Sequence, residues 1–143
     1  MTTRARIVQE ARNWIDTPFH HQGRLKAVGV DCAGLVIGIA RELGIVAPDF
    51  DVTAYPRSPD GETLMHLAEI HLTAIQEADM QPGDVIVVAV DLEPQHIGVL
   101  GDYRHGGLSI IHAASNAGYV IETRLMFSRA MRFVGAFSFP EVE

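Results

Sequence analysis

The hydrophobic period of the chain changes once, near residue 80, and that change sets the fold class. Before it, apolar residues recur at helical spacing; after it, they come in short β-branched runs between turn residues. "TTRARIVQEARNWI" places Ile7, Val8, Ala11, Trp14 and Ile15 on one stripe, with Thr2 or Thr3 available as a cap. "CAGLVIGIAREL" is apolar nearly all round, which suits a central buried helix, and Gly44 is a natural stop. "ETLMHLAEIHLTAIQEA" predicts a third amphipathic helix through Leu64, Leu67, Ala68, His71, Leu72 and Ile75. "MQPGDVIVVAV" is then a turn feeding a strand, and "QHIGVLGD", "LSIIHAAS", "GYVIETRL" and "RFVGAFSF" are four more strand candidates. Helices first and strands second predict an α+β fold with an antiparallel sheet of about five strands packed on the helices. "DTPFHHQGRLKAVGVD" and "APDFDVTAYPRSPDG" read as loop and turn segments.

A chain of 143 residues fits one domain, residues 1–143. A formal charge of −7 with no basic patch excludes a nucleic-acid partner, because phosphate neutralisation needs clustered Lys and Arg. One cysteine cannot make an internal disulfide. The N-terminus carries no apolar stretch of signal-peptide length, and no run approaches a membrane span. The expectation is a protein made in the cytoplasm without a signal peptide.

The lone cysteine, Cys32, stands between an acid, Asp31, and the apolar helix. A free cysteine is most often a small buried hydrophobe. Cys32, however, falls at the inferred helix start, where unpartnered N–H groups and the positive end of the dipole favour a thiolate. Gly34 is read as leaving room for a substrate near the backbone. A thiolate nucleophile needs a base and a group that orients the base. His96 opens "HIGVLGD" and His112 sits in "IIHAAS"; if those strands pair through the turn near "DYRHGG", the two rings become neighbours. One then accepts the thiol proton while the other fixes its tautomer. The competing reading of each histidine is an ordinary core or surface residue.

The remaining histidines offer less. His20 and His21 are adjacent and cannot both face one site; loop exposure and a substrate-side role for one of them are the alternatives. His66 and His71 are off the spacing of a helical metal pair and no His-Glu-x-x-His occurs, so no metal is expected. Asp84 in "QPGD" suits a turn hydrogen bond.

"VDCAGLV", "PGDVIVV", "HIGVLGD" and "IIHAAS", in that order, resemble the NlpC-type papain-like cysteine peptidases of peptidoglycan. The upstream "WIDTPFHHQG" is similar to that family's Thr-Pro-aromatic segment, so the resemblance covers roughly residues 7 to 137. It implies a papain-like fold, Cys32 as nucleophile, His96 as general base and acid, and His112 as the orienting residue. It implies a substrate side built from Asp31, Phe19, His20 and His21, with Asp31 matching a residue that helps recognise the free amine of a stem peptide. No cofactor is implied. Two departures stand out: Phe19 occupies a position where the family often has tyrosine, and Ala33 one where it often has serine. The lead-in "HHQGRLKAVGVDCAGL" looks most like the phage-tail and prophage branch. That implies tail-tip or hub proteins as partners, a virion-tail location and action in the periplasm or cell wall. Docking is expected on "APDFDVTAYPRSPDG" or near "FSFPEVE". The alternatives are a structural tail component with weak or no activity and, less favoured, acyl transfer on lipids by a related permuted fold.

Overall fold

The structure, a computed structural model, describes residues 2–57, 62–90 and 93–143. Helix α1 (Arg4–Asn13) is capped by the Thr3 hydroxyl, which accepts from the Arg6 N–H. A two-stranded hairpin, β1 (Arg24–Leu25) with β2 (Gly29–Val30), precedes α2 (Cys32–Glu42). Helix α3 (Thr63–His71) is followed by β3 (Thr73–Ile75) and a single 3-10 turn at Glu77–Asp79. Strands β4 (Val85–Val90), β5 (Glu93–Asp102), β6 (Leu108–Ala114), β7 (Tyr119–Arg124) and β8 (Met131–Ser138) complete the chain.

The main sheet is six-stranded and antiparallel, in the order β3-β8-β4-β5-β6-β7. One face packs on the helices: Ile7 and Ala11 of α1, Trp14 at its C-cap, and Leu35 and Ile39 of α2 meet Val85, Val87, Val99, Ile111 and Phe137. The other face buries Ile86, Val88, Leu100 and Ile110 beneath Leu125, Met131 and Phe133. Cover on both faces explains why β4 is a continuous apolar run instead of an alternating one. Gly38 lets α1 approach α2, since a Cβ there would lie 2.3 Å from the Trp14 ring.

The α+β reading holds, with two corrections to its detail. The predicted third helix stops at His71, and Leu72 is already extended. Thr73, Ala74 and Ile75 pair instead with Ser138, Phe137 and Ala136, giving the sheet one strand more than expected. An open sheet edge with unpaired main-chain groups captures these residues, and that pairing overrides a helical period extending to Ile75. The predicted loop before Asp31 also contains the β1–β2 hairpin. Ala27 takes a φ of 68° at its turn and Val28 N–H donates to the Leu25 carbonyl.

Candidate active site

Helix α2 begins with Cys32 and is capped by Asp31, whose Oδ1 accepts the Gly34 N–H at 2.8 Å. Cys32 is half-buried and packs on the main core. Its own main-chain N–H lies ahead of the first intrahelical bond and points out of the helix start. The helix lies against β5 and β6, the strands that carry the two singled-out histidines.

His96 Nε2 and His112 Nδ1 are 2.7 Å apart, with ring centroids at 4.9 Å and planes at 74°. Both are buried, at 3% and 7% exposure, so the pair is shielded from water. Pairing of β5 with β6 runs from Asp102↔Leu108 to Val99↔Ile111, and the histidines lie just beyond its end. Gly98 permits the close approach of these strands: a Cβ there would fall 2.9 Å from Ile110 Cγ1. On the other side, β4 shifts register between Val87 and Val88 against β8, and between Val88 and Val90 against β5. Val88 is the residue opposite His96. Such irregularities bend a strand and re-aim side chains, and this one sits where His96 projects.

Asp31 is the most heavily engaged side chain of the region. Oδ1 also accepts from Arg24 Nη1 at 3.1 Å, and Oδ2 accepts from the Gln22 N–H at 2.7 Å and the Tyr55 hydroxyl at 2.7 Å. Arg24 in turn donates to the Tyr55 hydroxyl at 2.6 Å, to Asp51 Oδ1 at 2.9 Å and to the Val52 carbonyl at 3.0 Å. Burial alone would lower the Arg24 pKa, but the hydrogen bonds it donates to Tyr55 and Asp51 override it and the guanidinium is held more firmly charged. Burial pushes the Tyr55 phenol well above its ordinary value, and the adjacent Asp31 adds to that.

The other expected substrate-side residues separate. His20 is exposed, its Nδ1 3.0 Å from the His21 carbonyl oxygen. His21 turns inward, edge-on to Tyr55 with centroids at 5.8 Å and with Nδ1 3.9 Å from Asp31 Oδ2. Phe19 packs on the core, and its backbone bridges to Val30. A tyrosine hydroxyl therefore does reach this region, but from Tyr55 and not from position 19. Ala33 lines an apolar cavity of about 120 Å³ with Ile97, Leu64, Leu67 and His71. Gly34 does not leave space for a ligand: a Cβ there would lie 2.4 Å from the Gly23 carbonyl oxygen and 2.8 Å from Arg24 Nη1. The hairpin already fills that space. Gln95, next to His96, accepts the Met65 N–H at 2.9 Å and so ties α3 to β5. Among the described residues no three metal-ligating side chains converge.

Of the two segments expected to dock partners, residues 58–61 of the first lie outside the described residues. Its preceding part is strapped down by Arg24, by Tyr55 and by Gln22 Nε2 donating to the Thr53 carbonyl at 2.8 Å. In the C-terminal segment Phe137 and Phe139 are buried, and Glu143 exchanges backbone hydrogen bonds with Thr2 and Arg4. Arg24, Tyr55 and Gln95 were not singled out from sequence, since no local pattern links them to Asp31 or His96.

A helix opening on a cysteine, laid on an antiparallel sheet that carries a histidine pair, defines a papain-like α+β domain. The NlpC/P60 family matches residues 16–132, and the chain belongs to that family. No curated protein sequence matches it. Among solved structures, NlpC1 from Trichomonas vaginalis superposes with a TM-score of 0.69 at 17% identity, covering 95% of this chain and 44% of that one. The NlpC/p60 domain of the peptidoglycan hydrolase SagA gives 0.65 at 20% identity, covering 96% and 99%. The peptidoglycan hydrolase RipB from Mycobacterium tuberculosis gives 0.57 at 19% identity, covering 95% and 64%. The chain spans less than half the length of NlpC1 and of NlpC2 from the same organism. Among the described residues no helix is long and apolar enough to cross a membrane.

Proposed function

We propose that this domain is a cysteine hydrolase that cuts an amide bond in peptidoglycan stem peptides, at a γ-D-glutamyl to diamino-acid link. The observation that carries the reading is the 2.7 Å contact between His96 Nε2 and His112 Nδ1 on strands packed against the helix that begins with Cys32. A hydrogen bond between two ring nitrogens holds one proton. With that proton on His96 Nε2, Nδ1 of His96 is the basic nitrogen and takes the Cys32 thiol proton. The thiolate attacks the scissile carbonyl, and the Cys32 main-chain N–H steadies the developing oxyanion. The leaving amine receives the proton back from His96. Water, deprotonated by His96, then opens the thioester and releases the carboxylate product.

The decisive experiment incubates purified peptidoglycan with the wild type and with Cys32→Ala and identifies the soluble peptides by mass spectrometry. Release by the wild type alone is expected; matching profiles would leave a non-enzymatic component with the same fold. His112→Asn or Gln should keep more turnover than His112→Ala, because an amide still engages a ring N–H. Carriage of the domain by a phage tail or tail-like particle belongs to the same proposal, and its support is the lead-in sequence before Cys32. Immunodetection of the chain in purified particles tests it, and a chain found only outside particles would end that part of the reading.

A further inference from the structure

Helix α2 is apolar nearly all round, and its two sides are used differently. Leu35 and Ile39 are fully buried in the main core. Ala33, Val36, Ile37 and Ala40, at the spacing of one helix face, line the apolar cavity of about 120 Å³. Two of these four are alanines, so the helix itself leaves the space.

The other walls are fixed from outside the cavity. Phe50 and Val52 belong to the segment after α2. The carbonyls of residues 50, 52 and 53 accept from Arg41 Nε at 2.6 Å, Arg24 Nη2 at 3.0 Å and Gln22 Nε2 at 2.8 Å. Leu67 and Ala68 lie on α3. That helix is tied to β5 by Gln95 at one end and runs into the β3–β8 pairing at the other. Walls held by such ties are not free to fall inward, and a space whose surroundings relax only in part persists. Among the described lining residues, His71 alone has a polar side chain, and its ring stands edge-on to Phe50 with centroids 5.3 Å apart. A buried water needs about two to four polar partners, so this lining suits an apolar occupant better than water. An apolar cavity of roughly 150 Å³ takes a benzene molecule, and this one is of the same order.

We propose that the cavity is a preformed binding site for a small uncharged apolar molecule, of about the size of one aromatic ring or a branched alkyl group. Cys32 does not line it, and binding needs no cysteine chemistry, so the proposal stands or falls apart from the hydrolase reading. An occupant still touches the elements that carry the candidate site. Ala33 follows Cys32 on α2, and Ile97 follows His96 on β5, and both line the cavity.

The test uses benzene as the probe. A Kd of about 1 mM lies within the affinity that six heavy atoms can supply. At about ten times that concentration the melting temperature of the wild type should rise by about 3–5 °C. Methyl resonances of Val36, Ile37, Leu67 and Ile97 should shift on titration, and those of β6 and β7 should not. Ala40→Leu fills the space from α2 and should weaken benzene binding about tenfold or more. Leu67→Ala enlarges the cavity and covers the case in which Ala40→Leu does not fold. It should move the preference about tenfold from benzene towards p-xylene, which carries two more methyl groups. Absence of both the thermal shift and the methyl shifts overturns the proposal. Benzene bound equally well by Ala40→Leu, or methyl shifts centred elsewhere, places the ligand outside the cavity and overturns it too.

Discussion

Gly34 shows how closely the cysteine is placed. Alanine is favoured over glycine inside a helix by about 1 kcal/mol, so Gly34→Ala would stabilise an isolated α2. In the folded chain the added Cβ meets the Gly23 carbonyl oxygen at 2.4 Å, and that atom is backbone and cannot swing away. Overpacking of this kind costs about 1–3 kcal/mol, so the overlap outweighs the propensity. Urea unfolding should show Gly34→Ala less stable than wild type by up to about 2 kcal/mol, the overpacking cost less the propensity gain. A more stable variant would mean that the hairpin yields and does not set the position of Cys32. Asp31 works at the same scale. It caps α2 through Gly34 and gathers the Gln22 N–H, Arg24 and Tyr55, so residues 22 to 55 converge on the start of one helix.

Strands β4 to β8 were legible because β-branched runs between turn residues have few other uses. The nearness of His96 and His112 followed from one turn joining β5 to β6. β3 was not legible, since Leu72 and Ile75 continue a helical period and only the edge of β8 decides otherwise. The Asp31 cluster was not legible either: Tyr55 and Asp31 are 24 positions apart, and nothing local marks their meeting. The α3 start belongs with these non-local features. Glu62 at its N-cap makes no side-chain capping bond, and Gln95 from β5 accepts the Met65 N–H. Gln95→Ala should remove about 1 kcal/mol of local stability, as loss of a helix cap does. Hydrogen exchange should quicken through residues 65–71 and stay unchanged in β6 and β7. Uniform acceleration would show that α3 opens only with the whole molecule.

Charged ties on two sides of the molecule hold the helices to their surroundings, and they give stability a pH profile with a limit at each end. Arg12 of α1 donates to Glu122 of β7 at 3.0 and 2.9 Å and to the Asp102 carbonyl at 2.8 Å. Burial alone would raise the Glu122 pKa, but Arg12 and Ser109 overcome it and hold the carboxyl below its ordinary 4.5. Asp51, which joins the strap over α2 to Arg24, is likewise held below 3.8 against its own burial. A carboxyl whose pKa is depressed by folding contributes stability above its unfolded value and loses it as pH falls through the folded one. Both ties therefore weaken in acid, starting near pH 4.5 for Glu122. Tyr55 sets the other limit. Burial first, and Asp31 after it, raise its pKa from 10.0, so the folded state holds a proton that the unfolded chain releases. That contribution is intact below pH 10 and declines as pH rises above it. Melting temperature should stay nearly level between these limits and fall beyond each. Glu122→Gln should make the acid limb shallower, leaving the share that Asp51 carries, without altering the alkaline one, and Tyr55→Phe should flatten the alkaline limb while leaving the acid one unchanged. Scanning fluorimetry across pH 3 to about 11 measures both limbs in one series. An alkaline limb unchanged in Tyr55→Phe would show that another group, and not the phenol on Asp31, sets the upper limit.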